Sequence, residues 1–331
     1  MSFARSLFSI VCLFVVAAGQ AAADEPILIR FAHVVGENTP KGVGATLFKQ
    51  RAEERLAGRV KVEIYPRSEK FDDDEVFVAM LFGDLEMAAP SFVQLQGFVR
   101  AFQVFDLPFL FKDVEQVHRF QTSTVGQQLM QMLLPYGLEG LAYWDNGMRV
   151  ISADRTVRVP ADVRGLNFRL EPSKVFQEQY RRIGVVGIPM PFSRVTDAIR
   201  EGLVDGQENA WSNIYSRGIH KLNRDYLELD HSFLGYLVVT NADFWQGLPD
   251  DIRAALNEIL REVTEQVNQL ALEKAVGDRA KAIAEGGIQV VSPSRRRPRA
   301  MASGAVAGLG QFEDDIGKEV IEAAIAAGNV Q

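Results

Sequence analysis

Arginines such as Arg149 and Arg169 have specific chemistry to offer. A guanidinium is a planar, permanently charged fork that can meet both oxygens of a carboxylate at once. A carboxylate leaving water loses strong hydration, and a receptor must replace it with charge-assisted hydrogen bonds. The chain carries a formal net charge of −7, so arginines gathered round an anion would be a positioned feature and not a by-product of composition. Four more side chains fit such a site. Asn209 can orient a carboxylate or a neighbouring hydroxyl through its amide, Trp211 can wall a carbon chain, and Lys41 and Ser91 can hold a second carboxylate. His33, in the loop before Lys41, is a weaker candidate. Each has a plainer role open to it: a surface salt bridge for Arg169, a pairing with an acid such as Glu208 for Arg149, loop capping after Gly206 for Asn209, and core packing for Trp211. For Lys41 the plainer role is a solvated helix start, for Ser91 a helix cap, and for His33 a packed interior residue.

Other chemistries find no footing. The four histidines, His33, His118, His220 and His231, lack zinc spacing and cysteine partners. There is no G-x-S-x-G elbow, phosphate loop or complete dinucleotide fingerprint; Gly42-Val43-Gly44 is a fragment of the last and falls within a helical pattern. Asp72-Asp73-Asp74 resembles a metal-binding run but reads better as a helix N-terminus. The expectation is a binding protein without catalytic residues, metal or cofactor. Arg295-Arg296-Arg297-Pro298-Arg299 is the one basic run, and with an acidic remainder it reads as a solvated loop and not as a nucleic-acid patch.

The elements that must position these residues can be read from pattern. Residues 1–23 read as an export signal: a short basic start, an apolar run from Leu7 to Ala18 too short to span a bilayer, and Ala21-Ala22-Ala23 as the cleavage site. Cleavage there removes Cys12, the single cysteine, and leaves a chain without a membrane span. From Asp24 onward strands alternate with helices, which predicts an α/β fold with mainly parallel sheets. Ile27–Phe31 is strand-like, Thr39-Pro40 opens a helix to about Leu56, and Val60–Tyr65 alternates as a half-buried strand. Further strands are expected at 85–89, 140–144, 166–170 and 185–190, and helices at 72–82, 112–120, 124–135, 173–183 and, capped by Ser193, 195–201. From Pro249 onward Ile252, Leu256, Ile259, Leu260, Val263 and Val267 keep helical spacing, and Gly286-Gly287 closes a helix of about 50 Å. That length exceeds one lobe and predicts a strut across two, the alternative being a break near Gly277.

Several segments together resemble one family. His33 to Gly42, Val104 to Phe111, Tyr143 to Arg149, Gly165 to Lys174, Gly202 to Asn209 with Trp211-Ser212-Asn213, and His231 to Tyr236 are similar, in order, to TRAP-transporter solute-binding proteins of the DctP type. Phe71-Asp72 and the arginine-rich tail depart from the family's pattern. The resemblance implies a two-lobed, periplasmic-binding-protein-like fold with hinge strands and a long helix spanning both lobes. On that template lobe I is 24–146 plus 235–274 and lobe II is 147–234 plus 275–331. It also makes the Arg169 strand the carboxylate-binding one, and implies a periplasmic receptor that closes on a small organic acid and docks on the small and large membrane subunits of a permease. With Arg169, Arg149, Lys41 and the Trp211 loop, the expected ligand is a four-carbon dicarboxylate such as succinate, malate or fumarate. The alternatives are a sugar acid or other monocarboxylate, a ligand-presenting role for a sensor, and a periplasmic enzyme.

Overall fold

The computed structural model describes residues 25–292 and 309–329, so the expected export signal and the Arg295–Arg299 run lie outside the described residues. Among the described residues nine strands form one sheet: β1 (Ile27–Ala32), β2 (Val60–Tyr65), β3 (Met87–Ala88), β4 (Leu138–Ala153), β5 (Asn167–Leu170), β6 (Val186–Pro189), β7 (Gly206–Asn209), β8 (Asp225–Asn241) and β9 (Gln289–Val291). Their order is β2-β1-β3-β8-β4-β7-β5-β6, with β9 on β8.

Local sequence explains the first unit. Thr39 is extended and its side chain accepts from the Gly42 N–H, while Pro40 begins the helix Pro40–Arg55 where no backbone donor is needed. Phe48, Ala45 and Ala52 of that helix are fully buried against Phe31, Val62 and Trp144. β1 and β2 pair in parallel through Ile27↔Val60 to Ala32↔Tyr65, and β5 pairs in parallel with β6 and β7, as a strand–helix alternation dictates.

The strands that cross between the lobes run the other way. β4 and β8 are antiparallel from Leu138↔Asn241 to Ala153↔Asp225, and β3 and β7 join them antiparallel. β4 runs well past the expected 140–144, because its register shifts at Gly140/Ala142, Asp145/Gly147 and Met148/Val150 break the alternation by which a strand is read. Such bulges bend a strand, and Gly147, at φ 139°, takes a backbone angle that a side chain would resist.

The long helix is unbroken from Asp250 to Ala284, with Gly277 inside it. Ile252, Leu256, Ile259, Leu260, Val263 and Val267 pack in the first-lobe core with Phe31 and Trp144, whereas Ala282 packs with Val150, Trp211 and Tyr226. One helix therefore braces both cores. The C-terminal segment departs from the expected division: Phe312, Ile316, Ala324 and Ala327 join Phe105 and Phe120 of the first lobe, and Arg119 and Gln116 donate to the carbonyls of Ala327 and Ala324 at 2.6 and 2.8 Å. The apolar side of 309–329 therefore packs on the helices around residue 120.

The lobes touch. Val34 and Val35 pack with Phe192 and Val195, and Val93 packs with Phe168 and Tyr180. Ser193 does not cap the helix Val195–Arg200; its hydroxyl donates to Asp72 Oδ2 across the cleft at 2.8 Å. Asp72 likewise is no helix cap, since the helix it precedes starts at Val76.

Candidate functional site

Arg169 sits in β5 between Phe168 and Leu170, both in the second-lobe core, so the strand's partners are fixed and the guanidinium is turned into the cleft, buried. Its Nε donates to the Met190 carbonyl at 3.1 Å, which sets the plane of the fork, and Phe192 lies under it with the guanidinium carbon 5.9 Å from the ring centre. The group lines a cavity of about 170 Å³ together with Asp73, Asp74, Gln94, Glu171 and Phe192. Burial lowers the Arg169 pKa, Glu171 acting in the opposite sense, yet a guanidinium stays charged through such a shift.

Arg149 lies on β4, buried, 4.7 Å above the Phe176 ring. It pairs with Glu171 Oε2 through Nη2 and approaches Glu208 Oε1 at 3.6 Å through Nη1. Burial opposes its charge, but Glu171, Glu208 and Asp106 more than offset that and raise its pKa. The two glutamates show the reciprocal effect. Burial pushes Glu171 up, and Arg149 and Arg169 bring it below the ordinary carboxylate range; burial also pushes Glu208 up, and His231 and Arg149 bring it down. Nε and Nη1 of Arg149 have no hydrogen-bond partner, so this cation still has donors for an anion. The pairing with Glu208 expected as the plainer role is present, and Glu171 is added to it.

Lys41 is no solvated helix residue. It is fully buried, donates to the Ala89 carbonyl at 2.8 Å and rests 3.7 Å over the Tyr236 ring. Burial brings its pKa down to about 8 against the pull of Asp73 and Glu171. Asp73, half-buried opposite it, is pushed up to about 6 by burial despite Lys41. Ser91 precedes the short helix Phe92–Leu95 without a side-chain cap; instead its hydroxyl donates to Glu171 Oε1 at 2.9 Å, from the first lobe to the second.

Asn209 spends its amide oxygen locally, on the Ala210 N–H at 3.0 Å and on Asn213 Nδ2 at 2.9 Å, so its NH₂ is what it can present to an anion. Asn213 and Asn146 also donate to the Tyr236 hydroxyl, at 3.1 and 2.8 Å, tying the Asn209 loop to the ring beneath Lys41. Trp211 stands apart from this group. Its indole N–H donates to Glu228 at 2.8 Å, its ring stacks on Tyr226 at 4.9 Å, and it lines a separate cavity with Met148 and Arg279. The apolar wall expected of it is not there, because the indole turns to the Glu228 side; Phe192, which the spacing does not single out, faces Arg169.

His33 is buried with neither ring nitrogen hydrogen-bonded by a neighbouring side chain, and burial with the Lys41 charge lowers its pKa to about 3. In an unfolded chain its pKa is near the ordinary 6.5. Between those values the unfolded state binds the proton and the folded state does not, so stability falls as pH drops from 6.5 toward 3. His33→Leu is expected to remove about 1.4 kcal/mol per pH unit from that acid slope, measured by denaturant unfolding between about pH 4 and pH 6; an unchanged slope would count against a neutral buried imidazole.

Ser91 and Arg149 thus meet on Glu171, Lys41 and Asn209 are linked through Tyr236 and Asn213, and Arg169 lines the cavity with Asp73 and Glu171; Glu171, Asp73, Tyr236 and Asn213 are members that spacing does not reveal. Among the described residues no group of three or more His, Cys, Asp or Glu could hold a metal, and no helix is long and apolar enough to cross a membrane.

The chain is 38% identical over 326 residues to the C4-dicarboxylate-binding periplasmic protein DctP of Vibrio cholerae, covering 97% of this chain and 98% of that protein. A TRAP periplasmic solute-binding protein from Shewanella oneidensis, solved with bound succinate, superposes with a TM-score of 0.89 at 38% identity, over 92% of this chain and 100% of that one. Another from Pseudomonas aeruginosa, solved with bound L-malate, gives 0.83 at 38% identity, over 86% and 99%. Residues 31–307 match the family described as bacterial extracellular solute-binding protein, family 7 (DctP), and the chain belongs to that family of solute-binding, non-enzymatic proteins.

Proposed function

We propose that this chain is a periplasmic receptor that closes on a four-carbon dicarboxylate and delivers it to the small and large membrane subunits of a TRAP permease. The observation that carries the reading is the buried Arg169 fork facing a cavity of about 170 Å³. Sites for drug-sized ligands span about 300–1,000 Å³, so this one suits a short acid better than a uronate or an aromatic acid. Relatives named for, or solved with, four-carbon dicarboxylates support the choice.

The mechanism is set by where the donors sit. Arg149, Arg169 and Asn209 belong to the second lobe and Lys41 and Ser91 to the first, so only closure brings all of them to one ligand, and a ligand that touches both sets favours the closed state. The hinge is the bulged stretch of β4 and β8, and the helix Asp250–Ala284 braces both sides. Lobe I takes 25–146, 235–274 and the C-terminal helices; lobe II takes 147–234 and the stretch from 275 to β9. A micromolar dissociation constant needs about −8 kcal/mol, which one carboxylate clamp with several further hydrogen bonds supplies after ordering costs.

A thermal-shift panel tests the ligand class. Succinate, L-malate or fumarate at about 100 times its dissociation constant adds about 2.7 kcal/mol, seen as a rise of several degrees in Tm. Stabilisation by uronates or aromatic acids alone contradicts the dicarboxylate reading.

A further inference from the structure

The strand that presents Arg169 to the cavity presents a carboxylate to it two residues later. Glu171 comes just after the end of β5, is buried, and lines the same cavity. Each of its oxygens is held once, Oε1 by Ser91 from the first lobe at 2.9 Å and Oε2 by Arg149 from the second. A carboxylate oxygen has two lone pairs, so both oxygens retain the capacity to accept, and an ionised group has no proton to give. Asp73 and Asp74 add acceptors on the same wall.

A bound dicarboxylate must come to terms with that wall. With one carboxylate on Arg169, an unsubstituted chain would offer only methylene groups to Glu171, whose oxygens would then keep Ser91 and Arg149 as their partners and gain none from the ligand. A hydroxyl on the carbon next to the clamped carboxylate donates to Glu171 instead, in a hydrogen bond strengthened by the charge. We propose that Glu171 is a specificity-determining residue, whose carboxylate, fixed by Ser91 and Arg149 beside Arg169, accepts from a ligand hydroxyl and selects 2-hydroxy four-carbon dicarboxylates over unsubstituted ones. This deepens the dicarboxylate reading and rests on it. A ligand hydroxyl that meets a remaining lone pair of Glu171 adds a charge-assisted hydrogen bond that the analogue lacking it cannot make.

Calorimetric titration of the native protein and of Glu171→Gln with L-malate and succinate decides the matter. The native protein is expected to bind L-malate about tenfold more tightly than succinate, and Glu171→Gln to bring the ratio toward one, mainly by tightening succinate, because the amide removes the negative charge and can donate. A native ratio near one, or a variant that keeps the native ratio, overturns the assignment. Should the variant fail to fold, the native ratio alone decides. Binding of neither diacid alongside firm binding of another acid would defeat the dicarboxylate reading itself, an outcome distinct from equal binding of both.

Discussion

Arg169→Ala is expected to fold and to lose its organic acid. Truncating one partner of a buried, hydrogen-bonded charge pair costs about 2–5 kcal/mol, so the dissociation constant should rise roughly 30- to several thousandfold. The fold survives because Arg149, which pairs with Glu171 and Glu208, and His231, which pairs with Glu208, are both retained. Arg169→Lys should recover little: a lysine keeps the charge but neither the fork that meets two oxygens nor the Nε that is anchored to Met190. Calorimetry with L-malate reads both variants, and circular dichroism confirms the fold. An Arg169→Ala protein that binds within about threefold of the native would remove Arg169 from the site.

Arg149→Met should damage stability more than any other single change in the cleft. It takes from buried Glu171 and Glu208 the cation they share, leaving Arg169 near the first and His231 on the second; breaking such a pair costs about 3–5 kcal/mol, or a fall of about 5–8 °C in Tm. The pH dependence gives the effect a signature. In the native protein both glutamates lie below the ordinary carboxylate range, so their pairing stabilises the fold above the unfolded pKa and is lost as pH falls through the folded one. In the variant burial is opposed only by Arg169 and Ser91 at Glu171 and by His231 and Tyr180 at Glu208, so both carboxylates sit higher than in the native fold and the deficit grows as pH rises. The gap between variant and native Tm should therefore be wide at about pH 7.5 and narrow at about pH 5. Arg149→Lys keeps a cation there and should recover most of the loss. A gap independent of pH would mean that Arg149 acts by packing on Phe176 and not by charge.

Much of this is legible in the sequence, for reasons that differ by element. Thr39-Pro40 is legible because a cap and a donor-free residue act locally, and the long helix because its apolar spacing persists through Gly277 without proline. Arg169 is legible as a candidate because its flanking residues resemble a carboxylate-binding strand. The β4–β8 pair is not, since bulges interrupt the period of two and both faces are covered. Side chains whose roles depend on the opposite lobe are equally hidden. Nothing near Asp72 announces Ser193, and nothing near Ser91 announces Glu171, because those contacts exist only after two distant segments close. Trp211 misleads for the converse reason: an aromatic in a site loop can turn either way, and Glu228 on β8 draws its N–H away from the cleft. The Asp72–Asp74 run reads as a helix start because acids suit that position; in the fold it faces the second lobe instead.

The central claim is that a buried guanidinium takes over the hydration of a small acid held between two lobes. A crystal structure of the protein grown with L-malate tests it most directly. One carboxylate of the ligand is predicted to lie on the Arg169 fork at about 2.7–2.9 Å, with both lobes in contact with the ligand. A ligand anchored outside the cleft, or held in it with Arg169 turned to a carboxylate of the protein, would contradict the claim.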